Sequence, residues 1–140
     1  MQQATEPSRH HGIPVLLVTK DEDFFMVIHH LLRPNGYHVS LAQTAEVALS
    51  LAARAAFKLA LIDRRQHVVS ALRQNHVLQQ IPMIALQPPG EVCTEEDTVE
   101  DLAAGFDIVI ESHRHREWLA IIKALLRRQE LQAAPLREFR

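Results

Sequence analysis

Short apolar runs alternate with longer amphipathic segments along this chain. Val15-Leu16-Leu17-Val18, Leu59-Ala60-Leu61-Ile62 and Pro82-Met83-Ile84-Ala85-Leu86 are compact apolar runs bounded by polar residues, the pattern of strands buried on both faces of a parallel sheet. Tyr37–Ala42 alternates, and Phe106–Ile110 is a further short run, so both predict strands. After Thr19–Asp23 a helix is predicted with Phe24, Val27, Ile28, Leu31 and Leu32 on one stripe. Pro34-Asn35-Gly36 stops it. Thr44 can cap a second helix, Ala45 to about Ala56. A third is expected from about Val68 to Gln79, with Val69, Leu72, His76 and Val77 toward the sheet. Thr94 and Asp97 have capping-box spacing for a fourth helix that runs to Ala104 and stops at Gly105. The last runs from Arg116 to about Leu131, with Trp118, Ile121, Ile122, Leu125 and Leu126 on one face. Five strand–helix repeats imply an α/β fold, a parallel sheet with right-handed crossovers and helices on both faces.

With 140 residues the chain is expected to form one domain, residues 13–131. Residues 1–12 are polar and read as a disordered lead-in, and 132–140 as a tail or the start of a linker. A net charge of −2 supplies no basic field, which argues against nucleic acid as a partner. There is no long apolar run for a membrane span and no signal-peptide pattern at the start. Cys93 is the sole cysteine, so no intrachain disulfide can form and a cytoplasmic setting is expected.

The strand that ends in Asp63 is the centre of the functional reading. In an open parallel sheet, ligands and chemistry gather beyond the carboxyl ends of the strands. Several pieces now resemble the receiver domain of bacterial two-component response regulators, of CheY-like type. They are Pro14–Val18 with its following acidic cluster, Asn35-Gly36-Tyr37-His38-Val39, Phe57–Asp63, Ile81–Leu86 and Ala104-Gly105-Phe106-Asp107. The resemblance covers roughly residues 13 to 130 and implies a flavodoxin-like, doubly wound sheet in the order 2-1-3-4-5. It also implies a phosphoryl acceptor at Asp63, served by a histidine kinase. Such chemistry calls for a carboxylate nucleophile and for Mg²⁺, a hard cation that needs several oxygen ligands.

The other positions depart from that pattern. Thr19 and Lys20 stand where the resemblance implies an acidic pair, and Asp21 lies one place too far along. Gln87 occupies the hydroxyl position, Ser112 the lysine position and Val109 the aromatic position. Asp63 and Ile81 are only 18 positions apart, so Arg64-Arg65-Gln66-His67 runs almost directly into the third helix and the pocket is expected to be remodelled. Lys20 is expected to pair with Asp63 or Asp21 in place of a metal ion, with loss of the Mg²⁺ site and no cofactor. Asp63 then reads as a vestigial acceptor serving as an N-cap or ion pair.

The expectation is an atypical receiver domain, not an enzyme, that signals through protein–protein contacts independently of aspartate phosphorylation. Two alternatives stay open: a receiver that accepts phosphate on Asp63, and a regulatory domain of a larger signalling protein. Partners would be proteins, among them a histidine kinase or an output domain, or a second copy of the chain. The interaction surface would include Val109, Trp118, Phe25 and Met26. The acidic residues Glu95, Glu96, Asp97, Glu100 and Asp101, beside the basic residues of the last helix, would suit charge-paired association. Nine histidines invite a metal reading, with His113, His115 and Glu111 as candidate ligands, but nothing in the sequence fixes their geometry and solvated loop histidines are the preferred account. No Gly-rich phosphate loop and no nucleophile elbow is present.

Overall fold

The computed structural model describes residues 12–88, 90, 94–111 and 114–133. The strands are β1 (Ile13–Val18), β2 (Tyr37–Ala42), β3 (Leu59–Asp63), β4 (Met83–Gln87) and β5 (Ile108–Glu111). The helices are α1 (Glu22–Leu32), α2 (Ala45–Ala52), α3 (Val69–Arg73), α4 (Glu95–Ala104) and α5 (His115–Ala133). All strand pairs are parallel, and the 5-stranded sheet has the order β2-β1-β3-β4-β5. This is the doubly wound 2-1-3-4-5 arrangement that the resemblance implies.

Strand alternation divides the core into two layers. Val15, Leu17, Leu59, Leu61, Ile84 and Leu86 face one side, where Phe24, Ile28 and Leu32 of α1 and Trp118 and Ile122 of α5 cover them. Leu16, Val18, Ala60, Ile62, Met83 and Ala85 face the other, beneath Ala48 and Ala52 of α2 and Val69 and Leu72 of α3. Full burial of a residue such as Ile28 or Leu32 contributes about 1.5–3 kcal/mol each, so these few positions seat their helices. None of the residues of α4 is buried.

The predicted helix ends hold where caps are strong. Asp21 accepts the Phe24 amide, Thr44 accepts that of Val47, and Thr94 and Asp97 form a complete capping box. The α1 stripe is narrower than predicted, because Val27 is 50% exposed. Helix α2 stops at Ala52 rather than near Ala56, and β4 and β5 lie one to two residues further along. The largest difference is α3, which ends at Arg73 rather than Gln79. Asn75 Oδ1 accepts the amides of Val77 at 2.8 Å and Leu78 at 3.1 Å, which turns the chain out of the helix. His76 and Val77 are therefore exposed and Leu78 takes the buried place.

Arg73 secures this irregular stretch. Its guanidinium donates to the carbonyls of Gly105, Gln79 and Ile81 and to Asp107 Oδ2 at 2.7 Å. The same Asp107 oxygen accepts the Met83 amide at 2.8 Å, so the starts of β4 and β5 are tied to α3. Gly105 is required here. Its φ is +131°, and a Cβ would lie 3.0 Å from Arg73 Cγ. Among the described residues, no helix is long and apolar enough to cross a membrane.

Candidate functional site

Three polar residues are buried among those described: Thr19, Asp63 and Gln87. They lie at or just beyond the carboxyl ends of β1, β3 and β4, which are neighbouring strands. Burying a polar group is costly unless it is hydrogen-bonded, so such a cluster marks the place where local chemistry outweighs packing.

Asp63 is the centre of the cluster. It is 0% exposed, and its carboxylate is held from two directions. Thr19 donates its hydroxyl to Oδ2 at 2.9 Å. Arg65 donates Nε to Oδ1 at 2.9 Å and Nη2 to Oδ2 at 2.7 Å, and its own backbone amide to Oδ1 at 3.1 Å. The last bond is an i→i+2 side-chain turn, which makes Asp63 the N-cap of a single 3₁₀ turn, Arg64–Gln66. Burial works to raise the Asp63 pKa, but the hydrogen bonds from Arg65 and Thr19, with the nearby guanidinium charge, outweigh it and hold the carboxyl below its usual value. Asp63 is thus an ionised carboxylate with each oxygen already accepting from Arg65.

Arg65 also lies 3.6 Å from Asp21 Oδ2, so its guanidinium bridges the acidic residue after β1 and the one ending β3. This corrects the expectation for Lys20. Lys20 is exposed and makes no ion pair among the described residues. The reason is strand geometry: alternate residues point to opposite sides, so Thr19 turns in toward Asp63 and Lys20 turns out. The cation beside the carboxylate comes instead from the shortened loop. An Asp-x-Arg sequence directly after a buried strand was the available signal, because aspartate readily caps the amide two residues on.

The two acidic residues nearest the site are already engaged within the chain. Asp21 spends Oδ1 on the cap of α1 and directs Oδ2 toward Arg65, while both Asp63 oxygens accept from the same guanidinium. Among the described residues, no group of three or more His, Cys, Asp or Glu is arranged to hold a metal ion. The candidate ligand His113 lies outside the described residues, as does Ser112.

The remaining predicted positions are scattered. Gln87 is buried at the end of β4, paired in register with Glu111. Val109 is half-buried and packs on the layer beneath α2 and α3. Phe25 is half-buried and stacks on His29, with ring centroids 5.4 Å apart, and Met26 is exposed. Trp118 is a correction. It is completely buried under α5, in the layer it shares with α1, and offers no surface to a partner, because it lies on the apolar stripe of its helix.

Solved structures settle the architecture. Chemotaxis protein CheY4 of Vibrio cholerae superposes with a TM-score of 0.71 at 21% identity, over 81% of this chain and 98% of that one. The receiver domain of a sensor histidine kinase from Pseudomonas aeruginosa, with a magnesium ion coordinated in its active-site cleft, gives 0.69 at 24% identity, over 82% and 98%. The fold is that of a response-regulator receiver domain. NtrX of Brucella abortus superposes on 87% of this chain, with a TM-score of 0.74 at 17% identity, but the match spans only 28% of that longer protein. No protein-family model matches the sequence, and no curated protein matches it. On this receiver fold, Asp63 ends the third strand at the mouth of the sheet, and Arg65 closes over it.

Proposed function

We propose that this chain is an atypical receiver domain that signals through protein contacts, with Asp63 kept as a standing ion pair and not used as a phosphoryl acceptor. One observation carries the reading: the two-point grip of Arg65 on the Asp63 carboxylate. In-line attack on phosphorus needs a free carboxylate oxygen and a cation to neutralise the phosphoryl group. Here the oxygens are engaged and the cationic place is taken by a tethered guanidinium, which would also repel a divalent ion. The domain therefore needs no Mg²⁺, and its output lies in its surfaces. Helix α4 suits that role. It carries the acidic residues Glu95, Glu96 and Glu100 and leaves Val99 59% and Leu102 44% exposed.

The test is chemical. The protein is incubated with acetyl phosphate or phosphoramidate and Mg²⁺, and its intact mass is taken. The expected mass is unchanged. A phosphate adduct that disappears in Asp63→Ala would overturn the proposal in favour of a phosphorylatable receiver.

A further inference from the structure

The turn that closes the Asp63 site also holds α4. Arg64 and Arg65 are consecutive, yet their side chains go to different elements. Arg65 returns to Asp63, while Arg64 donates Nε to Asp101 Oδ2 at 2.7 Å, across 37 positions of sequence. The Arg64–Asp101 pair is well shielded, with side chains 14% and 13% exposed. Its weight is increased by what α4 lacks, since no residue of that helix is buried. A helix without an anchoring apolar face depends on its polar ties for its seat. The turn itself is under tension. It ends at His67 with φ at +53°, the one described non-glycine residue in the left-handed region.

We infer that the Arg64–Gln66 turn is a latch that couples the Asp63 carboxylate to the seating of α4. While Arg65 grips Asp63, the turn keeps its 3₁₀ form and Arg64 is aimed at Asp101. When the grip is lost, the strained turn relaxes, Arg64 leaves Asp101, and α4 loosens from the sheet. Anything that competes for the Arg65 guanidinium or for the Asp63 carboxylate would thereby alter the acidic surface of α4. The inference rests on the reading of Asp63 and Arg65 as a standing pair. No covalent step is involved.

Hydrogen exchange followed by mass spectrometry on the full chain tests it. Both Arg65→Gln and Arg64→Gln should speed exchange of the α4 amides by roughly tenfold, an opening confined to one structural unit. Exchange in α1 and β2 should stay unchanged. The double variant should loosen α4 no further than either single change, since both act through one tie. The paired exchange Arg64→Asp with Asp101→Arg should restore protection of α4. The latch is overturned if Arg65→Gln speeds exchange only near residues 63–68, if α1 loosens equally, or if the two single effects multiply. Failure of the standing-pair reading would look different: a phosphate adduct on the unaltered protein.

Discussion

Arg65 meets Asp63 with a two-point guanidinium–carboxylate contact, 2.9 Å from Nε to Oδ1 and 2.7 Å from Nη2 to Oδ2, from only two residues away in sequence. Paired hydrogen bonds of this kind are shorter and stronger than neutral ones and fix orientation as well as distance. The carboxylate is wholly buried and the arginine is not, so the pair has one dry end and one wet end.

That asymmetry sets the cost of breaking it. Removing one partner of a fully buried pair typically costs about 3–5 kcal/mol, but water screens an arginine that is 39% exposed. Arg65→Gln should therefore lower stability by roughly 2 kcal/mol in urea unfolding, with an unchanged m-value. Thr19→Val, which removes the other side-chain donor to Asp63, should cost about 1–2 kcal/mol.

Acid should act through the same carboxylate. The folded-state pKa of Asp63 lies below its ordinary 3.8. A depressed carboxyl contributes stability that is complete above the unfolded value and is lost as pH falls through the folded one. The protein should accordingly lose stability as pH drops below about 4. Asp63→Asn should be less stable at neutral pH and show a shallower loss in that acid range. Denaturation midpoints at pH 7 and pH 3 for both proteins measure the difference, and parallel pH curves would show that Asp63 is not the linked group.

Arg73 is a structural residue, far from the Asp63 site. It holds the carbonyls of Gly105, Gln79 and Ile81 and pairs with Asp107. Arg73→Ala should cost about 2–4 kcal/mol, since several acceptors lose their donor together. Thermal melts of the variant beside the unaltered protein check the loss.

Neighbours on α1 should behave oppositely. Ile28 is wholly buried and Val27 is 50% exposed. Ile28→Ala should cost about 2–5 kcal/mol through transfer and cavity terms, while Val27→Ser should stay within about 0.5 kcal/mol. Equal effects would mean that the α1 stripe is as wide as periodicity alone suggests.

The five strands and the strong helix caps were legible in the sequence because each rests on short-range rules, while their order in the sheet came from the resemblance to receiver domains. Apolar runs, Thr94 with Asp97, and Gly105 after Ala104 carry their meaning within a few residues. Helix α3 was not legible in this way. Val77 continues an apolar stripe, and only the turn made by Asn75 with the carbonyl hold of Arg73 shows that the helix has already ended. The site was legible in part. Thr19, Asp63 and Gln87 stand out in the sequence and lie buried at neighbouring strand ends, but the sequence points to Lys20 as the partner of Asp63 where the fold supplies Arg65.

By itself, then, the sequence determined the α/β alternation, the carboxylate at the end of the third strand and the lack of an acidic pair beside it. Tertiary structure alone decided which cation answers that carboxylate, that Trp118 is core and not surface, and that Arg64 reaches Asp101. The reason is geometric. Hydrophobic periodicity and caps depend on neighbours along the chain, whereas the choice between Lys20 and Arg65 depends on how one residue after β1 and a turn after β3 are aimed once the two strands lie side by side.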